Sequence, residues 1–310
     1  MIDSNSPQSA SVDVPIIDAH QHFVDLGLGN NPWVCDEPPI PFRYGDYRAI
    51  RRSYLPPDYI RDSSGFNVVG SVFVEMEWNP ADPIGETRWL QGVIDAHGLP
   101  SVIVAQAWLD RRDVAEVLAA QAAFPQVRGI RHKPRALATP VDANPGARGS
   151  MGDPRWREGY ALLEQHGLSF DLQTPWWHLR EAAELARDFP AVQMILNHTG
   201  LPADRSDEGL DAWRAAMALL SEQPNVAVKI SGLGVAGEAW TVASNRRIVL
   251  DSIDIFGIER CMFASNFPVD SLVADFDTIY AGFMRIVEHF PLSDQRKLFC
   301  DNARRIYRIS

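Results

Sequence analysis

Short apolar runs alternate along the chain with longer stretches in which apolar residues recur at helical spacing. Eight runs read as strands: 15–23, 68–77, 101–110, 127–134, 168–174, 192–200, 226–234 and 260–269. Most are apolar on both faces, as strands covered on both sides must be. The stretches between them carry helix punctuation. Residues 82–98 stop at Gly98, 112–124 end before Pro125, and 153–167 open on Asp153-Pro154 and stop at Gly167. An N-cap acid followed by proline, and a glycine after the last turn, are the expected start and stop signals. The runs "HLREAAELARDFP", "GLDAWRAAMALLSEQP" and "ASNRRIVLDSIDIFG" repeat the scheme. "VADFDTIYAGFMRIVEHF" and a closing "LSDQRKLFCDNARRIY" follow the last strand. Eight strand–helix units predict an α/β protein whose parallel sheet closes into a (β/α)8 TIM barrel, a single domain over 15–310. An open doubly wound sheet usually has fewer strands and often a Gly-rich turn after its first. Here the first strand ends in His20-Gln21-His22 instead.

Composition narrows the setting. The chain has 310 residues, 46% of them hydrophobic, and a net charge of −11. No basic run is long enough to track phosphates, so neither nucleic acid nor an anionic membrane is an expected partner. No apolar run approaches the roughly 20 residues of a membrane span. Cys35, Cys261 and Cys300 are odd in number and form no CxxC pair, which suits a reducing cytoplasm. Residues 1–14 lack the basic and apolar parts of a signal peptide and read as a disordered polar leader. Two connections are long, 24–67 and 135–153, and loops of that length are often lids over a site. The oligomeric state is open, a homo-oligomer included.

Polar and ionisable residues crowd the predicted C-terminal strand ends, where barrels of this kind place their active sites. In chain order they are His20 and His22; Glu75 and Glu77; Trp108 and Asp110; Arg131, His132 and Lys133; Asp171 and Gln173; Asn197 and His198; Lys229 and Ser231; Asn266, with Asp270 four residues on. A period of two puts Asp18, His20 and His22 on one strand face, pointing into the barrel. The two imidazoles can chelate one divalent ion, with His198 from a strand across the barrel as third ligand. Asp18, one step deeper, is expected to orient a histidine or neighbouring backbone. Arg131 can clamp a substrate carboxylate or pair with Glu75 or Asp171. His132 has the opposite parity to Arg131, so only one of them points fully inward. Trp176 and Trp177 can floor a substrate pocket or cover a helix end.

The eight units with "IDAHQHF", "RGIRH", "ILNHTG", "VKISGL" and "MFASNFPV" resemble the amidohydrolase-related superfamily. The branch most similar is that of the sugar lactonases and 2-pyrone-4,6-dicarboxylate lactonase. The resemblance runs from Pro15 to Ile309 and implies His20, His22 and His198 as site histidines. Where many members carry a strand-five metal histidine, this chain has Asp171 or Gln173, so a binuclear centre is not expected. Where members usually carry an aspartate on strand eight ("GSDWP"), this chain has Asn266. Asparagine cannot take a proton at neutral pH, which leaves Asp270, Asp171, Glu75 and a free His198 as candidate bases. The resemblance implies a hydrolase that opens the lactone of a sugar acid or carboxylated ring. It would use one divalent ion, zinc first among the candidates, or none. Arg131, Lys133 and Lys229 would suit a small anionic substrate, with Glu75, His132, Asp171 and Trp176 as further contacts and Asn266 orienting the water. A metal-dependent decarboxylase of the same superfamily, and a degenerate barrel that binds without turnover, are the alternatives.

Overall fold

The computed structural model describes residues 14–140 and 145–310. The expected leader lies outside them except for Val14, which is buried in the core; residues 141–144 of the second long connection also lie outside. Among the described residues, eight strands run parallel and in chain order around one sheet. They are β1 (Ile16–Gln21), β2 (Val68–Val74), β3 (Val102–Gln106), β4 (Val127–Arg131), β5 (Ser169–Leu172), β6 (Met194–Leu196), β7 (Val226–Ile230) and β8 (Cys261–Phe263). Helices cover the outside, and the sheet closes on itself as the (β/α)8 barrel that the alternation predicts. The helix Pro154–Gln165 begins as its punctuation indicates, with the Asp153 side chain accepting from Arg155 N. No helix among the described residues is long and apolar enough to cross a membrane.

Two apolar layers follow from the strand alternation. Ile17, Ala19, Val72, Val74, Val102, Val104, Ile195 and Met262 fill the barrel. Ala303, Ile306 and Tyr307, from the closing helix Asn302–Tyr307, pack into the same cluster and stop its floor. Residues of the other parity, such as Ile16, Phe73, Ile103, Phe170 and Val228, pack against the helices.

Three departures from simple alternation build the mouth. The β1–β2 register shifts between Asp18 and Gln21, and this bulge changes the parity of β1. Asp18 therefore faces the helix layer, a correction to the expected common face, and accepts from Tyr59 Oη (2.9 Å), Ser265 N (2.8 Å) and Ser265 Oγ (2.6 Å). Burial raises its pKa. His20 and His22, beyond the bulge, turn inward. Second, β6 is shorter than its apolar run because His198 and Thr199 take left-handed backbone, φ 55° and 51°. Such residues cost about 1–2 kcal/mol each and tend to persist where a site needs them. Third, β8 also ends early, and the segment after it crosses to β1. Asn266 N donates to His20 O (2.8 Å) and His22 N to Phe267 O (2.7 Å), which closes the seam.

Candidate active site at the barrel mouth

The bulge in β1, the left-handed turn after β6 and the crossing after β8 bring three imidazoles together. The His20 and His198 ring centroids are 4.6 Å apart, and those of His20 and His22 4.9 Å. His22 Nδ1 lies 2.6 Å from Val74 O and must donate to it, so the lone pair of His22 is on Nε2. That atom is 3.2 Å from His20 Nε2. His198 Nδ1 lies 2.9 Å from Ser231 Oγ. A side chain at Gly232 would stand 2.7 Å from His198 Nδ1 and 2.8 Å from an Arg43 nitrogen, so only glycine fits there. All three histidines have pKa values pushed well below the usual range. Burial is the main cause, followed by Lys229 for His20, Arg131 for His22 and Arg43 for His198. At neutral pH they are uncharged and each keeps one ring lone pair; that of His22 faces His20 Nε2.

Asn266 joins them, itself at φ 56°. Its Nδ2 donates to Asp270 Oδ1 at 2.6 Å, and its amide is within hydrogen-bonding reach of His22. Asp270 also accepts from Tyr44 Oη (3.0 Å) and faces Arg43 at 3.6 Å. Burial raises the pKa of this carboxyl. Arg43 and Tyr44 come from the long first connection and were not foreseen. Only the length and aromatic content of "PFRYGDY" hinted that this loop reaches the site. Its residues Trp33, Phe42 and Tyr47 stack on one another, with centroids 5.1–5.6 Å apart, and hold it over the mouth.

Arg131 points inward, with Nε on Glu75 Oε1 (2.5 Å), one terminal nitrogen on Glu75 O and the other on Gln173 Oε1 (3.0 Å). Of the two pairings foreseen for it, the one with Glu75 forms. Lys133 pairs with Glu77 near the surface. His132, of opposite parity, turns away from the barrel axis. Asp171 and Lys229 lie deeper than expected: they form a fully buried ion pair at 2.6 Å, completed by Tyr307 Oη and Asn197 Nδ2 on Asp171. Neither lines a cavity, so contact with substrate, expected of both, is replaced by a place in the core. Trp176 packs against the apolar core and the turn at Gly200, the commoner fate foreseen for such a tryptophan.

A cavity of about 310 Å3 opens above this cluster, lined by His22, Arg43, Arg131, Gln173, His198 and Asn266 among others. A divalent ion would find two converging donors, His20 Nε2 and His22 Nε2, and a buried His20 Nδ1 without a partner. The nearby carboxylates are engaged elsewhere: Asp270 with Asn266, Tyr44 and Arg43, Glu75 with Arg131, and Asp171 with Lys229. Among the described residues no group of three or more His, Cys, Asp or Glu side chains is placed to hold a metal. The expected three-histidine set therefore meets in space without completing a metal site. The cationic groups that depress the histidines also oppose a dication. The arrangement suits a neutral base among positive charges, able to activate water beside a developing oxyanion.

Comparison with known proteins gives the family and agrees with the fold. The profile of the Amidohydro_2 family, described as amidohydrolase, matches residues 17–309. The uncharacterized protein y4mH of Sinorhizobium fredii is 42% identical over 303 residues, 96% of this chain and 99% of that one. An L-fucono-1,5-lactonase of Burkholderia ambifaria is 28% identical over 298 residues, 94% of this chain and 95% of the relative. The crystal structure of an amidohydrolase from Burkholderia multivorans with bound zinc superposes with a TM-score of 0.78 at 24% identity. It covers 95% of this chain and 99% of its own.

Proposed function

The chain belongs to the amidohydrolase family, and from that premise we propose that this hydrolase opens a lactone bearing a carboxylate or several hydroxyls by attack of water on the ring carbonyl. The observation that carries the reading is the meeting of neutral, lone-pair-bearing histidines with Arg43 and Arg131 in one cavity. Arg43 and Arg131 attract a carboxylated or polyhydroxylated lactone and orient its carbonyl. His198, its Nδ1 2.9 Å from Ser231 Oγ, is the base of this scheme: in the tautomer with the proton on Nδ1, its Nε2 takes the proton of the attacking water. Asn266, tied to Asp270, orients that water through its amide. As the tetrahedral oxyanion forms, the Arg131 guanidinium stabilises it. Collapse breaks the bond from the acyl carbon to the ring oxygen, and His198 returns the proton to the leaving alkoxide. The product is a hydroxy acid, whose ionisation releases one proton.

The L-fucono-1,5-lactonase relative favours a sugar-acid lactone as substrate. No step of the scheme runs through a metal, because the donor set does not fit one. The test is a panel of sugar-acid and carboxylated lactones followed by proton release, with wild type and His198→Ala side by side. Loss of a general base costs about 10²–10⁴ in rate, while the unfolding midpoint should change little. Full turnover by His198→Ala, or no lactone opened by wild type, refutes the proposal.

A further inference from the structure

Trp33, Ile40, Glu77, Arg131 and Lys133 line not only the cavity over the histidines but also a second one beside it. This outer cavity measures about 600 Å3 against about 310 Å3 for the inner one, and it lies over the ends of β2, β3 and β4. The partition between them is ionic: Arg131 on Glu75 and Lys133 on Glu77. The ring opening described above uses nothing beyond the partition.

The walls of the outer cavity differ in kind from the inner ones. Trp33, Trp78, Trp108 and His132 contribute aromatic side chains to its lining. Trp108 is 42% exposed, although its ring lies within 8° of parallel to that of His132. His132 Nδ1 accepts from Leu109 N and Trp156 Nε1, both at 3.0 Å, so the ring is neutral and its proton sits on Nε2. Burial pulls its pKa down to about 4, which keeps it neutral across the physiological range. Gln106, only 3% exposed, donates its Nε2 to Trp78 O, yet its Oε1 has no partner in the protein. A buried amide oxygen without a donor is unfavourable, and a ligand hydroxyl that reached it would supply the missing donor. Glu75 and Glu77, on the same wall, are already paired. One hydroxyl satisfies the Gln106 oxygen; Trp78 Nε1, a second buried group without a partner on this lining, would take one acceptor, and a sugar ring would bring several of each.

We propose that the outer cavity is a second substrate subsite that holds a hydroxylated aromatic ring carried by the lactone. Its link to turnover rests on the lactonase reading, but occupancy of the subsite does not. Calorimetric titration with 4-hydroxybenzyl alcohol therefore reads it without any chemistry, with benzyl alcohol and methyl β-glucoside as the comparison probes. The phenol should bind, benzyl alcohol about fivefold more weakly for want of the hydroxyl, and the glucoside more weakly still. Trp108→Ala should weaken phenol binding about tenfold. Arg135→Trp, which fills the cavity from its rim, should abolish it and guards against a local rearrangement in the first variant. In turnover, the kcat/KM ratio of an aryl-substituted over a monocyclic lactone should fall about tenfold or more in both variants. Equal phenol binding by wild type and Trp108→Ala, or preference for the glucoside, overturns the subsite. Trp108-dependent phenol binding in a protein that opens no lactone supports the subsite and sinks the lactonase reading instead.

Discussion

Asn266→Asp would restore the acid usual in the family and place it against Asp270. Asn266 Nδ2 stands 2.6 Å from Asp270 Oδ1, so the variant sets two carboxylates at that spacing. At an effective dielectric constant of about 20 their repulsion is about 6 kcal/mol, or between four and five pKa units. One proton therefore stays on the pair through neutral pH. Acquiring it at pH 7, about three units above the ordinary aspartate value, costs about 4 kcal/mol of stability. At pH 5 the same step costs about 1.5 kcal/mol. The sign follows from linkage: a carboxyl whose folded pKa is raised destabilises the fold as pH rises, and costs nothing below its unfolded pKa. Urea unfolding of wild type and variant at both pH values measures the two differences. An equal loss at pH 5 and pH 7 would refute the reasoning, because it would mean that Arg43, 3.6 Å from Asp270, neutralises the added charge. Lactone turnover at pH 7 should fall about tenfold or more, since Asn266 no longer presents a neutral amide. A gain would show that Asn266 is a disabled aspartate.

Lys229→Met should cost about 3–5 kcal/mol in urea unfolding, because Asp171 is left buried and unpaired; adding Asp171→Leu should recover most of that loss. The kcat/KM of the wild type should stay level from pH 7.5 down to pH 6, since the site histidines have pKa values well below 6.5; a limb centred near pH 6.5 would contradict the assignment. Dialysis against a chelator should leave turnover within twofold, and added zinc should not raise it, as a fluorometric metal assay run in parallel can check; a zinc-dependent rise would show that a ligand set assembles on substrate binding.

The alternation of apolar strands and punctuated helices was enough to read the barrel, because burial on both faces leaves a continuous apolar signature in β2, β3 and β7. The rim was also legible: His20, His22, His198, Arg131 and Asn266 meet where strand ends predicted. What periodicity could not show was depth and facing. Asp171 and Lys229 have the same parity as true rim residues, and only the Tyr307 hydroxyl rising from the floor reveals that they belong to the core. Asp18 was expected on the face of His20; the bulge turns its side chain to the helix layer, where it still accepts from His20 N at 3.3 Å. Arg43 and Tyr44 lie in a connection with no period at all, placed by aromatic stacking that only the folded chain displays.

The seam at Asp18 ties assembly to activity. Its carboxylate grips Ser265 from the first strand, and the adjoining residues 266 and 267 are the ones that complete the mouth. Closing the cylinder and juxtaposing His20 with Asn266 are therefore one event. A chain with seven units in place and the eighth undocked would have most of its core and none of its chemistry. Such a species would be inert toward substrate, so that activity itself reports that the last strand has docked.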